Sequence, residues 1–173
     1  MDEADDEIHA RLAAFLPRLR RFCHGLTGTR DKGGDLLQST VERALSRIDR
    51  WQPGTSLESW MLKMASNLHI DLIRAERVRG TSVDVEEAAG ISGGDELARM
   101  EFRSELEAVN TALIAMSPEL RQVLTAVVID ERSYKEAAEL FDIPIGTVMS
   151  RLSRARQFVA NYVKGTPSEG VAA

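Results

Sequence analysis

The stretch "GTSVDVEEAAGISGGDE", Gly80 to Glu96, constrains this chain more than any other, because it mixes glycine, serine and acids without a sustained apolar period. A segment of that kind reads as a tether, with a short ordered helix inside it as the alternative. The 173 residues therefore divide into two halves, each of which must close a small core. On both sides of the tether the apolar residues recur at helical spacing, with no alternating run long enough for a sheet. The expected fold is all-α: two small helical domains, over 8–80 and 98–164, joined by a flexible acidic linker over 81–97.

In the first half the pattern predicts helices over about Ile8 to Leu26, Gly34 to Ile48 and Ser56 to Val78. The third carries an apolar stripe at Leu57, Trp60, Met61, Met64, Ala65, Leu68 and Leu72. A Pro53-Gly54 turn precedes it, and Thr55-x-x-Glu58 has the form of a capping box. In the second half a helix over about Ala98 to Ala115 is followed by Ser117-Pro118-Glu119, a serine cap with proline at the first helical position, opening a helix that ends near Asp130. The acidic N-terminal residues and the tail "GTPSEGVAA" lack an apolar period, so both ends are expected to be disordered.

Several classes of function are excluded. No run of 18 apolar residues exists, and "MDEADDE" is acidic where a leader would be basic and then apolar, which points to a cytoplasmic protein without membrane insertion. Cys23 is the one cysteine, and His9, His24 and His69 lack metal-ligand spacing, so neither a disulfide nor a metal site is expected. Cys23 and His24 are adjacent, and on a helix neighbours diverge by about 100°, which favours a packed thiol over a nucleophile and its base. The sequence "GTSLES" lacks the second glycine of a nucleophile elbow. No paired carboxylates or phosphate loop point to an enzyme, and no cofactor is implied.

A net charge of −5, taken alone, opposes nucleic-acid binding, but its distribution along the chain is uneven. Residues 81–110 carry eight acids against Arg99 and Arg103, a net of −6, which leaves +1 for the remainder. From Gly146 onward Arg151, Arg154, Arg156 and Lys164 face one acid, Glu169.

That cationic end lies in "SYKEAAELFDIPIGTVMSRLSRAR", Ser133 to Arg156. Ser133-x-x-Glu136 is a capping box that starts a helix running to about Phe141, with Ala137, Ala138 and Leu140 packing, and the turn "DIPIG" follows. At about 100° per residue from Thr147, the residues Ile145, Val148, Leu152, Ala155 and Val159 fall at roughly 80–160°. Thr147, Ser150, Arg151 and Arg154 fall at roughly 300–40°. This describes a helix-turn-helix whose second helix has one packing face and one polar, cationic face suited to a major groove. An ordinary amphipathic surface helix would share the arginines but not the braced first helix and short turn.

The same stretch resembles region 4.2 of the extracytoplasmic-function sigma factors. "GDLLQSTVERALSRIDRW" is similar to region 2.2, and "TSLESWMLKMASNLHIDLIRAERVRG" to regions 2.3 and 2.4, so the likeness spans roughly residues 10–160 in family order. "RWQPGTSLESW" resembles the alphaproteobacterial stress-response branch. The resemblance implies a transcription initiation factor that binds core RNA polymerase, recognises minus-10 and minus-35 promoter DNA, helps melt it, and is held by an anti-sigma factor.

By that resemblance the second helix turns Leu36, Leu37, Val41, Ala44, Leu45 and Ile48 inward and presents Asp35, Gln38, Glu42 and Arg43 to polymerase, with Ser39 where relatives usually carry an acid. The loop Asp49 to Ser56, including Trp51 and Gln52, matches the family's loop that captures a base flipped from the minus-10 element. Trp51 would supply an apolar wall, or belong to the core; Asn67 would read the base, or make a structural hydrogen bond. Arg74, Arg77 and Arg79 would hold phosphates. The minus-35 readers would be Thr147, Ser150, Arg151, Ser153 and Arg154. Met149 stands where many relatives have arginine, and Ser153 replaces a bulkier side chain.

The acidic tether could also lie against the cationic faces of Arg74 to Arg79 and Arg151 to Arg156, closing the two halves and hiding DNA-binding surface. Two rival readings stay open: a sigma-like mimic that sequesters an anti-sigma factor, and a stand-alone helix-turn-helix regulator. The second would leave the Gly34–Ile48 helix and the Trp51 loop without a role.

Overall fold

A computed structural model describes the backbone of residues 3–79 and 96–165, and the side chains of 7–79 and 105–165. The expected linker, save for its last residues, and the C-terminal tail from 166 lie outside the described residues. Seven α-helices occur among the described residues, as expected for an all-α chain: α1 Glu3–Thr27, α2 Arg30–Leu45, α3 Leu57–Arg79, α4 Glu96–Ala115, α5 Pro118–Leu124, α6 Tyr134–Phe141 and α7 Ile145–Val163.

α1 begins at Glu3, so the acidic start is helical rather than disordered from that residue on. α1 buries Leu12, Phe15, Leu19, Phe22, Cys23 and Leu26 at three- and four-residue spacing. Cys23 is fully buried and its pKa is pushed up to about 12 by that burial, so it is a packed thiol. α2 ends at Leu45 and gives way to a short 3-10 turn, Ile48–Arg50. Leu45, expected to pack inward, is 44% exposed.

The cap of α3 belongs to Ser56, not Thr55. The Ser59 amide donates to Ser56 Oγ at 3.1 Å, while Thr55 Oγ1 donates back to the Gln52 carbonyl at 2.7 Å inside the turn. α3 buries more than its expected stripe, because Leu62, Ser66 and His69 are also covered, whereas Leu72 is 45% exposed. The extra face is covered by the second half of the chain.

The second half follows its sequence signals closely. Pro118 occupies the first turn of α5 and the Ser133–Glu136 capping box forms with both reciprocal bonds, whereas Ser117 holds the N-cap position without a side-chain cap bond. Asp142 closes α6 in a left-handed conformation with φ 59°, which lets the chain turn sharply into α7. α5 passes directly into a π-helical turn, Thr125–Ile129, in which the Asp130 amide donates to the Thr125 carbonyl at 3.0 Å. The wider turn swings Asp130 toward α1.

The two halves are docked. Asp130, its side chain 1% exposed, accepts from Arg18 Nε at 2.6 Å and from Arg132 Nε at 2.8 Å. The buried guanidinium of Arg121 donates from Nη1 to the Leu26 carbonyl at 2.9 Å and from Nη2 to the carbonyls of Ile114 and Met116. It thus binds the C-terminal ends of α1 and α4 together, where unpaired carbonyls give each helix its negative pole. Gln122 donates to the Ser66 carbonyl of α3 at 3.3 Å. Gly25 makes the approach possible, since a Cβ there would lie 2.5 Å from Ile129 Cδ1 and 2.8 Å from Thr125 Cγ2.

The expected closure of the acidic tether over the arginines of α3 and α7 falls on residues that lie outside those described, and the docking seen here is a separate contact. It is made by α1 and α3 against α5, α6 and the π turn. The arginines of α3 and α7 point elsewhere, and Arg74, Arg77, Arg79, Arg154 and Arg156 are exposed. The docking of the two halves leaves those five side chains uncovered among the described residues.

His69 lies in this seam, and burial first, then the charges of Arg121 and Lys32, lower its pKa to about 4. Because the folded value lies below the unfolded one, near 6.5, its contribution to stability is complete above about pH 6.5 and is lost as pH falls toward 4. At pH 5 the wild type should have lost about 2 kcal/mol relative to pH 7 through this group. His24, lowered by burial, Arg20 and Arg30, acts in the same direction, so the informative quantity is the difference between wild type and His69→Phe. Urea denaturation at the two pH values should show a smaller loss in the variant; equal losses would remove His69 from the account.

Candidate nucleic-acid and polymerase interfaces

On α2 the side chains of Asp35, Gln38, Ser39 and Glu42 are exposed along one strip, and Arg43 is half-buried beside it. Gln38 Nε2 donates to Glu42 Oε1 at 2.9 Å, which holds the strip as a preformed polar edge. Leu36, Thr40 and Ala44 are buried on the opposite side. Thr40 tolerates burial because its hydroxyl donates to the Leu36 carbonyl at 2.7 Å.

Trp51 and Gln52 differ in environment although they are neighbours. Gln52 is exposed, whereas Trp51 is half-buried, packs against the core and has the Arg11 guanidinium 5.8 Å from its ring centre. Trp51 is thus a core-anchored side chain with one partly open face. Asn67 is exposed on α3, and its side chain makes no hydrogen bond among the described residues. On α3 the exposed residues Lys63 and Arg74 lie within about 40° of Asn67 around the helix axis, with exposed Asp71 on the same strip. Lys63 was missed in the sequence; its spacing of four from Asn67 was the available signal. Arg77 lies about 80° to one side and Arg79 about 120° to the other, so the three arginines do not form one row.

The exposed face of α7 is rotated from the polar face that periodicity predicts. Val148, Leu152, Ala155 and Phe158 are buried, and Phe158 stacks with Tyr162 at 5.1 Å between ring centres. On the scale that sets Thr147 at zero, Phe158 and Tyr162 fall at about 20° and 60°, which moves the buried arc toward Thr147 and Arg151. Both of those residues are half-buried. The exposed arc holds Ile145, Gly146, Met149, Ser150, Ser153, Arg154, Arg156 and Gln157, centred near 240° instead of 340°. Ile145, expected to pack, is 50% exposed. Ser150, Ser153 and Arg154 keep an outward position; Thr147 and Arg151 sit at the margin.

Among the described residues no group of three or more His, Cys, Asp or Glu is placed to hold a metal, and no helix is long and apolar enough to cross a membrane.

Two helical halves, the second closing on a helix-turn-helix, define a sigma-70-type architecture, and comparison with known proteins agrees. Residues 106–159 match the family model "Sigma-70, region 4", and residues 12–65 match "Sigma2 domain of PhyR". The chain is 32% identical to the ECF RNA polymerase sigma factor EcfG of Rhodopseudomonas palustris (strain TIE-1), over 95% of this chain and 91% of that one. It is 29% identical to the ECF RNA polymerase sigma factor SigE of Mycolicibacterium smegmatis, over 88% of this chain and 60% of the relative. Among solved structures, the sigma factor RpoE of Bartonella quintana, crystallised with the anti-sigma factor NepR, superposes with a TM-score of 0.72 at 26% identity, covering 91% of this chain and 97% of that one. The chain belongs to the ECF RNA polymerase sigma factor family, in its alphaproteobacterial type.

Proposed function

We propose that this chain binds core RNA polymerase through the α2 strip of Asp35, Gln38, Glu42 and Arg43, reads the minus-10 element with α3 and the loop before it, and reads the minus-35 element with α7. Residues 8–80 form the polymerase and minus-10 domain, 81–97 the acidic linker and 98–164 the minus-35 domain. The protein works in the cytoplasm as a transcription factor and not as an enzyme, and a small anti-sigma protein is its antagonist. The observation that carries this reading is the pair of exposed, base-bearing helix surfaces, Asn67 with Lys63 and Arg74 on α3 and Ser150 to Arg156 on α7, on opposite sides of a tether. The sixteen residues between α3 and α4 can extend to roughly 55 Å, so the halves can separate to reach two DNA elements once the polar seam opens.

Asn67 supplies the test of melting. A flipped base costs a few kcal/mol of stacking, which its readers offset only once the strands part. Asn67→Ala is expected to slow open-complex formation on duplex promoter roughly tenfold while a pre-melted promoter recovers most of the activity. An equal defect on both templates would remove Asn67 from the melting step.

The match to the PhyR region-2 model favours a second reading, a mimic that occupies an anti-sigma factor. The exposed Asn67 and Arg154 oppose it, since a mimic has no use for base- and phosphate-reading side chains. Capture of core polymerase by the purified chain supports the first reading; failure to capture it, with tight anti-sigma binding retained, supports the second.

A further inference from the structure

The exposed arc of α7 is apolar at the end that enters the groove. Met149 is 54% exposed and Ile145 50%, and both lie in the first two turns. Between them Gly146 faces open space, with no heavy atom within 4 Å of where a Cβ would stand. The neighbouring polar group does not cover the patch, because Ser150 Oγ turns back to donate to the Thr147 carbonyl at 3.1 Å. The charges stand further along the helix, at Arg154 and Arg156, where they can hold phosphates while the tip meets base edges.

A helix tip of this composition cannot read guanine as arginine does, since Met149 and Ile145 donate no hydrogen bond. The one apolar group on any base-pair edge in the major groove is the C5-methyl of thymine. We propose that Met149, assisted by Ile145, is the specificity-determining contact of this protein for thymine in the minus-35 element, recognising the methyl group by apolar contact. The proposal rests on the reading of α7 as the minus-35 helix. A thioether suits the task because it is unbranched and polarizable and adapts to the position of the methyl.

The test removes the methyl groups alone. Holoenzyme assembled from the full chain and core polymerase is first used to select promoter duplexes from a random-sequence pool, and each thymine of the selected upstream element is then replaced singly by deoxyuridine. Base-pair hydrogen bonds are unchanged by that exchange. Wild-type holoenzyme should lose about 3–10-fold in affinity at one or two positions. Met149→Ala should bind the unmodified duplex more weakly and be indifferent to the same exchange, while Met149→Leu should retain the response. Since Met149 is more than half exposed, none of these changes should unfold the chain, which the denaturation midpoint verifies.

Wild type that selects a defined upstream element yet ignores every deoxyuridine would overturn the proposal, as would Met149→Ala that keeps the full response. Failure of the holoenzyme to select any upstream element is a different result, which overturns the reading of α7 itself.

Discussion

Arg121→Met should destabilise the protein by about 3–5 kcal/mol, because the variant leaves the terminal carbonyls of α1 and α4 buried with no donor. Each such carbonyl costs roughly 1–3 kcal/mol when unpaired, and partial relaxation keeps the total below the sum. Burial lowers the Arg121 pKa to about 10, so the side chain is charged at neutral pH and its hydrogen bonds are charge-assisted. Arg18→Met provides the contrast. Arg18 is 41% exposed and Asp130 keeps Arg132 as a partner, so this change should cost about 1 kcal/mol or less. Denaturant midpoints for the two variants measure the difference; equal midpoints would contradict the role given to the buried guanidinium.

Arg154→Ala should weaken holoenzyme binding to minus-35 duplex by about 1–3 kcal/mol if the side chain reaches a base edge, and should flatten discrimination at that base. A phosphate contact would instead lower affinity for all sequences alike and reduce the salt dependence by about one ion. Arg151→Ala should act differently. Its side chain is half-buried on the side of the helix that also carries Phe158 and Tyr162, so stability should respond more than specificity. Fluorescence anisotropy with labelled duplex, run with thermal melts of both variants, separates the two. An Arg151 variant with the stronger DNA defect and an unchanged melting temperature would return the recognition face to its sequence-derived position.

That rotation shows where sequence periodicity stops. Val148, Leu152 and Ala155 mark the packing side of α7 correctly, yet periodicity weights each apolar residue alike. Phe158 and Tyr162 extend the covered side because they are large rings that pack against each other at a tilt. Ile145 looks like one more core position, but it lies in the first turn and half of it faces solvent. Local chemistry was more legible. The Ser133–Glu136 capping box and the Pro118 start depend on neighbours in the chain, so their signals survive in sequence.

The seam between the halves was not legible, for a related reason. Arg121 and Leu26 are separated by 95 residues, and nothing near Arg121 distinguishes it from a solvated arginine on an amphipathic helix. The same holds for Gln122 and Ser66, and for Arg18 and Asp130. Gly25, tight against Thr125 and Ile129, would have read as a helix-weakening residue. The seam brings buried polar groups, among them Arg121, Gln122, His69 and Asp130, to the boundary of the two halves. It is suited to holding two halves together until a partner of higher affinity separates them.

Opening and promoter use meet in one measurement, run-off transcription with purified core polymerase and the full chain on a linear template bearing a selected promoter. The account predicts a discrete transcript that requires the chain, disappears when the upstream or downstream element is scrambled, and falls when a short bifunctional thiol linker between Ser59→Cys and Arg132→Cys, whose native side chains meet across the seam, holds it shut. Polymerase that starts equally well without the chain, or a chain that binds polymerase but never directs a promoter-dependent transcript, would contradict it.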